Sequence, residues 1–171
     1  YEKRIMKTCL KCNYSQNHPF GMSFDKSGIC LGCITHDEKY EMDWDDKKII
    51  FQELAEEYKK KSKSFYDCII PVIGDAEDYH VVKIITDLGF NPLIVGVNDY
   101  FMNDIGWHNL HNLITFFDLD SYGFNPEISI YKELVRTSMR KYNHALWPSL
   151  ALKSSFPVHV ANQKKIPLII Y

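Results

Sequence analysis

Short apolar runs alternate with amphipathic stretches along most of the chain. Residues 67–73 and 93–97 are almost continuously apolar, which is typical of strands covered on both faces. Between them, apolar residues at Val81, Ile84, Ile85 and Leu88 follow helical spacing, and Gly89 is suited to end a helix. The pattern predicts two buried strands joined by a helix.

The same alternation continues through the second half. We expect a helix over about residues 104–117, a short segment at 120–124, a helix opened by Asn125-Pro126, and a last helix after Trp147-Pro148 that leads into a strand at 167–171. Strict alternation predicts an α/β fold with a doubly wound, mainly parallel sheet and right-handed crossovers. Ligands of such sheets lie beyond the carboxyl ends of the strands, so residues 74–79, 98–102 and Asn125 are expected to form the rim of a site.

An amphipathic helix is predicted ahead of this alternation. The acidic run at 43–46 can cap it, and Ile50, Leu54 and Tyr58 recur every four residues, with Phe51 and Ala55 beside them. The chain therefore divides into a small N-terminal module over 1–42, a linking helix within 43–64 and an α/β domain over 65–171.

Two cysteine pairs dominate the N-terminal module. Cys9-Leu-Lys-Cys12 and Cys30-Leu-Gly-Cys33 have the spacing of a four-cysteine zinc site, in which thiolates complete a tetrahedron with no position open to substrate. Disulfides are the alternative, but the chain shows no secretory signal and reduced thiols are the rule inside cells. His36 is an alternative ligand. The spacing predicts one structural zinc ion in a loop-dominated knuckle that depends on its metal.

Composition adds limits on partners and location. The 171 residues are 46% hydrophobic and 25% charged, with a net charge of -2, so the chain has no general attraction to nucleic acid. No apolar run approaches the ~20 residues that span a bilayer, and we expect a cytoplasmic protein without a membrane partner. Because the sequence lacks a first Met and stops within an apolar run, we expect a fragment, incomplete at its C-terminus.

Seven segments together resemble the N-acetyl sugar amidotransferase family. They are Ser23-Phe-Asp-Lys-Ser-Gly-Ile-Cys-Leu-Gly-Cys33, Met42-Asp-Trp44, Tyr66-Asp-Cys-Ile-Ile-Pro-Val72, Asn91-Pro-Leu-Ile-Val95, Asn109-Leu-His-Asn-Leu-Ile114, Leu146-Trp-Pro148 and Lys165-Ile-Pro-Leu-Ile-Ile170. The resemblance covers essentially the whole chain and about the N-terminal half of such a protein.

This resemblance implies a PP-loop ATP pyrophosphatase fold of the HUP-like type and a role in bacterial surface polysaccharide (lipopolysaccharide) or nonulosonic acid biosynthesis. It implies that ATP, with Mg²⁺, adenylates a sugar-linked amide or acid and releases pyrophosphate. Ammonia from a glutaminase subunit then displaces AMP. The implied substrate is a nucleotide sugar or an amino sugar.

The resemblance also places the nucleotide loop, and there the chain departs from the family. The family pattern is Ser-Gly-Gly-x-Asp-Ser, where this chain has Ile73, Gly74, Asp75, Ala76, Glu77 and Asp78. Only Gly74 is retained, and three carboxylates surround the place meant for an anion. The alternative interpretation of Glu77 and Asp78 is that they cap the following helix. Ser149 stands where the family usually has a cysteine after Trp-Pro.

These departures leave more than one function open, and the sequence assigns no catalytic residue. The first hypothesis is an amidotransferase-like enzyme. The second is a non-catalytic relative that binds a glutaminase partner, and the third is a tRNA-thiolation type of PP-loop protein. Weaker candidates are a metal site at His108 and His111, more often surface residues, and stacking of a base or sugar on Tyr100, Phe101, Trp107, Phe116 or Phe117, which mostly fit core and rim positions.

Overall fold

The structure is a computed structural model that describes residues 6–19 and 21–171. Its elements run in the order α1 (Leu31–Glu41), α2 (Trp44–Lys61), β1 (Cys68–Pro71), α3 (Ala76–Asp87), β2 (Pro92–Val97), α4 (Asp104–Phe116), β3 (Ser121–Phe124), α5 (Ile128–Tyr142) and α6 (Trp147–Lys164). Contacts divide the chain into two compact units, Tyr1–Ile49 and Ile50–Tyr171, with the division inside α2. The three-part division at residues 42/43 and 64/65 stays a prediction.

The first unit is built from turns and one helix. An antiparallel bridge joins Thr8 to Ser15, and another joins Phe24 to Cys30. Cys30 is the N-cap of α1, and its sulfur accepts a hydrogen bond from the Cys33 N–H. Both bridges and the cap bring the two cysteine pairs to one place. The sequence analysis did not predict α1, which has no buried residue and only a weak amphipathic pattern.

The second unit contains a parallel sheet in the order β1-β2-β3. Ile69 pairs with Leu93, and Val95 pairs with Tyr122, so each strand follows its neighbour in register. On the other side of β1, Ile169 forms a parallel bridge with Ile69. The chain therefore builds the sheet outward from β1 to β3 and then returns to the opposite side of β1. This reversal is the topological switch point of a doubly wound sheet.

Helices cover both faces of the sheet, as the sequence predicts. On one face, Cys68, Ile70 and Ile94 are buried together with Val82 and Ile85 of α3. On the other face, Ile69, Leu93 and Val95 are buried with Val160 and Ala161 of α6. Neighbouring strand residues belong to opposite clusters because side chains alternate across a strand. The continuous apolar runs are explained by these two layers.

Two details differ from the sequence-based expectation. In α2, Ala55 is buried and Phe51 packs on the core, whereas Ile50 and Leu54 remain about half exposed. The predicted strand at 167–171 makes a single bridge, in which Ile69 donates to the Leu168 carbonyl and accepts from Ile170, both at 2.9 Å. Within the described residues, no helix combines the length and apolarity required to cross a membrane.

Candidate functional site

The turn between β1 and α3 directs its backbone N–H groups at one carboxylate. Asp78 Oδ2 accepts hydrogen bonds from the N–H groups of Ile73 at 2.6 Å, Gly74 at 2.7 Å and Asp75 at 3.3 Å. In return, Asp75 caps α3 by accepting a hydrogen bond from the Asp78 N–H at 3.0 Å. This reciprocal arrangement is a capping box. The prediction that Asp78 caps the helix agrees with this geometry.

The same N–H groups would form the cradle of a phosphate at this place in the fold. In the structure, a side chain of the protein itself supplies the anion. Burial raises the pKa of Asp78, although the Ile73 and Gly74 N–H groups oppose the change. The N–H groups of Ile73, Gly74 and Asp75 are therefore not available to a polyphosphate while Asp78 keeps this position.

Gly74 has a packing reason for being glycine. Its φ is +89°, which L side chains rarely adopt, and a Cβ atom would lie 2.9 Å from the Leu110 backbone nitrogen of α4. Both constraints come from the fold. The one residue shared with the family loop is therefore required here without any reference to a nucleotide.

A cavity of about 280 Å³ opens at the switch point, next to this turn. It is lined by Asp75, Glu77 and Asp78 from the turn, by Lys153 and Ser154 from α6, and by Tyr171. We call it the switch-point cavity. The turn is thus one wall of the place where open α/β sheets bind their ligands.

The structure reveals a polar cluster that sequence reasoning missed. Asp99 follows β2 and is 7% exposed. Its Oδ2 accepts from Ser149 Oγ at 2.7 Å and from Lys153 Nζ at 2.6 Å, and its Oδ1 accepts from the Phe101 N–H at 3.1 Å. Burial alone would raise the pKa of Asp99, but the hydrogen bonds from Lys153 and Ser149 outweigh it and lower the pKa.

Ser149 therefore has a structural role at the position where the family usually has a cysteine. The sequence signal that could have indicated this cluster was the i, i+4 spacing of Ser149 and Lys153, which places both side chains on one face of α6. Their partner lies 50 residues from Ser149, and nothing local indicates it. The structure also brings together part of the rim that the sequence predicted around the strand ends. The Asn98 side chain donates to Asn125 Oδ1 at 3.0 Å.

The four cysteines form one cluster in the first unit. Their sulfur atoms all lie within 4.8 Å of one another, with 3.9 Å from Cys9 to Cys33 and 3.8 Å from Cys12 to Cys30. A tetrahedral site with Zn–S bonds of about 2.3 Å has sulfur–sulfur edges of about 3.8 Å, whereas a disulfide requires about 2.05 Å. The cluster therefore fits a metal ion, and its cysteines are free thiols.

The surroundings of the sulfur atoms also suit a metal. Backbone N–H groups of Cys12 and Cys30 lower the pKa of Cys9 to about 6, and burial raises that of Cys33 to about 12. A lowered pKa favours the thiolate of Cys9, which is the form that binds metal. His36 is not part of the cluster; its ring contacts Tyr40 at a centroid distance of 5.5 Å.

The two histidine candidates are not assembled into a metal site. Among the residues that the structure describes, the four cysteines are the only group of three or more potential ligands close enough to share a metal ion. His108 contacts the Asn112 side chain at 3.1 Å, and the His111 ring lies 6.1 Å from that of Trp107. Phe116 is exposed and packs edge-on against Phe117.

Comparison with solved structures shows the fold. Neither a family model nor a curated protein matches the sequence. A structure of NH3-dependent NAD synthetase from Campylobacter jejuni subsp. jejuni NCTC 11168, in complex with the nitrate ion, is similar with a TM-score of 0.51 and 14% sequence identity. This chain shares the fold of that synthetase. The match covers 75% of this chain and 56% of the other, so the chain spans little more than half of its length.

The α/β fold with a doubly wound, mainly parallel sheet is therefore confirmed, and the four cysteines that precede it lie close enough together to hold a metal ion. At this level of identity the likeness concerns the fold, and neither substrate nor activity follows from it. The nucleotide-binding role of residues 73–78 stays a prediction, and the geometry of Asp78 is the observation against which it must be tested.

Proposed function

We propose that this chain is an N-acetyl sugar amidotransferase-like protein of the cytoplasm that acts in surface-glycan biosynthesis. The proposed reaction uses ATP to activate a sugar-linked carbonyl, and glutamine-derived ammonia from a glutaminase subunit then displaces AMP. Its support is the resemblance of seven segments of the chain together with the doubly wound fold. The observation that carries it is the switch-point cavity, which lies where such folds bind their ligands.

This function sets a structural condition on Asp78. The N–H groups of Ile73 and Gly74 must be released before they can bind pyrophosphate, since Asp78 Oδ2 accepts from both. Within α3, rotation of that side chain is the smallest change that would release them. Lys153 lies in the wall of the same cavity, and it would have to leave Asp99 Oδ2, which its Nζ binds at 2.6 Å, in order to pair with the leaving group.

A second candidate follows from the same contacts. If Asp78 holds the amides permanently, the chain is a non-catalytic relative that keeps the fold in order to bind its glutaminase partner. The closed capping box favours this candidate because it satisfies the turn without a ligand.

Titration calorimetry with Mg-ATP and an assay of AMP formation separate the two candidates. The assay contains ammonium chloride in place of a glutaminase and an N-acetyl sugar nucleotide as acceptor, so it does not depend on the partner. The enzyme hypothesis expects micromolar ATP binding and AMP release that requires the sugar. Both measurements are made on the full-length protein, and absence of both there contradicts the enzyme hypothesis and supports the non-catalytic relative.

A pair of variants sharpens this test. Asp78→Ser frees the three N–H groups and restores a hydroxyl of the family pattern, and it should strengthen Mg-ATP binding at least tenfold. Glu77→Ser removes an exposed carboxylate from the same turn and serves as the matched control, since Glu77 accepts no hydrogen bond from the amides of Ile73, Gly74 or Asp75. Equal effects of both substitutions would mean that only the charge of the turn matters.

A further inference from the structure

A second cavity, of about 390 Å³, lies beyond the end of β2 on the α5 side. We call it the Tyr100 cavity. Its lining is mainly apolar and aromatic, with two cations at one side: Tyr100, Phe101, Ile128, Tyr131, Val135, Lys132 and Arg136, with Asp99 at its base. It differs from the switch-point cavity in every one of these residues.

The wall formed by Tyr100 is held in a strained conformation. Tyr100 has a φ of +61°, which is uncommon for an aromatic residue. Its N–H donates to Asn98 Oδ1 at 2.9 Å and its hydroxyl donates to the Pro126 carbonyl at 2.5 Å. Such strain persists only where the surroundings enforce it, and it is concentrated at ligand sites. The wall is therefore fixed in place before any ligand arrives.

The floor of the cavity is also fixed. The Tyr131 side chain is 4% exposed, and its ring lies 5.9 Å from that of Tyr100. The exposed rings of Tyr100 and Phe101 thus offer flat apolar surface to an occupant, and the buried Tyr131 supports the Tyr100 ring.

Electrostatics select the charge of the occupant. Lys132 and Arg136 lie one turn apart on α5, and both line the cavity. Lys132 forms no ion pair with the residues that the structure describes, and Arg136 has only Glu133 at 3.6 Å. Asp99 does not cancel these charges, because Lys153 and Ser149 already bind its carboxylate.

We propose that the Tyr100 cavity binds a small organic anion with one flat face, a ring that carries a phosphate or a carboxylate. The ring lies against Tyr100, Phe101 and Tyr131, and the anionic group pairs with Lys132 and Arg136. Nucleoside monophosphates and acidic sugars share this chemistry. The inference does not depend on the proposed amidotransferase function.

Titration of the full 171-residue chain with four probes tests the site. The probes are uridine 5′-monophosphate, N-acetylneuraminic acid, uridine and inorganic phosphate. Binding of the first three is followed by ligand-observed saturation-transfer NMR, and binding of phosphate is followed by its displacement of the ring-bearing anion. One of the two ring-bearing anions should bind with a dissociation constant below about 1 mM, and the one that binds identifies the source. Uridine and phosphate alone should bind at least tenfold more weakly, because each lacks half of the recognised chemistry.

Variants locate the binding. The double substitution Lys132→Gln and Arg136→Gln should weaken it at least tenfold, whereas Arg140→Gln with Lys141→Gln, in the last turn of the same helix, should not. Tyr100→Gly removes the ring at a backbone conformation that glycine accepts readily, and an unchanged Tm of this variant shows that its loss of affinity is not a folding defect. Failure of both ring-bearing anions to bind, equal binding of phosphate, or wild-type affinity in the Gln pair would overturn the proposal.

Discussion

Replacing Asp78 tests whether its carboxylate acts as an internal substitute for a bound anion. Asp78→Ala removes the acceptor of three backbone N–H groups, two of them at 2.6 and 2.7 Å. Hydrogen bonds to a charged group contribute about 1.5–3 kcal/mol each where water is excluded. This turn is partly open to solvent, since Ile73 is 43% exposed, and burial of the carboxylate itself has a cost. We therefore expect a net loss of about 2 kcal/mol of unfolding free energy.

Inorganic phosphate should restore part of that loss in the variant alone. An anion that binds only the folded state stabilises it by about 1.4 kcal/mol at ten times its dissociation constant. Urea unfolding of the wild-type chain, Asp78→Ala and Glu77→Ala, each with and without phosphate at matched ionic strength, gives these values. Hydrogen exchange of the Ile73 and Gly74 amides reports on the turn itself, so an effect on the turn can be distinguished from unfolding of the N-terminal unit.

The control variant Glu77→Ala is expected to stay within about 0.5 kcal/mol of the wild-type chain. Phosphate also stabilises folded proteins in general, and this effect is measured in the wild type and subtracted from the effect in the variant. The reasoning is refuted if Asp78→Ala unfolds like the wild type, or if phosphate stabilises the wild type as much as the variant, because the amides would then not be held by Asp78.

Three further outcomes follow. Gly74→Ala should destabilise the α/β unit by about 2 kcal/mol or more, since φ is +89° and the new Cβ would lie 2.9 Å from the Leu110 nitrogen; calorimetry showing an unchanged Tm would contradict this. Elemental analysis should find about one zinc ion per chain, and Cys30→Ser should lose it together with the near-UV signal of the first unit; a metal-free chain with native dispersion of the NMR signals would be the opposite result. The pKa of Asp99 is lowered in the fold. Its contribution to the free energy of unfolding is therefore present above its ordinary pKa of about 3.9 and is lost as the pH falls through the lowered pKa. Lys153→Met should raise the pKa of Asp99 and cost about 2 kcal/mol at pH 7, as followed by carboxyl NMR and urea unfolding.

The sequence predicted most of the fold because its patterns are local. Alternation of apolar runs with helical spacing depends on neighbours within a few residues, and it correctly predicted β1, β2, the helices from α2 onward and a parallel sheet. The strand predicted at 167–171 is a single bridge, and β3 was predicted only as a short segment. The capping role of Asp78 is likewise a relation between positions a few residues apart. The buried face of α2 could not be predicted from the sequence. Ile50 and Ala55 are both apolar, and only the elements packed against the helix decide that Ala55 is the buried one.

The candidate sites were predictable only in part. The cysteine spacing indicated a metal cluster, and the structure brings all four sulfur atoms within 4.8 Å. The contacts of Asp99 with Ser149 and Lys153 cross 50 and 54 residues of sequence, and those residue types occur throughout the chain. No local pattern distinguishes this lysine from the others, so only packing of α6 on the sheet could select it.

By itself, the sequence determined the order of the elements from α2 onward, the covering of the strands on both faces and the four-cysteine module, since each follows from short-range spacing of residue types. The tertiary structure alone decided that Asp78 Oδ2 takes the amides of the β1–α3 turn, that Gly74 must lack a side chain beside Leu110, and that a cavity forms between Tyr100 and α5. These are matters of distance between elements set by the packing of the whole unit. Within an unchanged set of strands and helices, one carboxylate determines whether the amides of the β1–α3 turn are free to bind an anion.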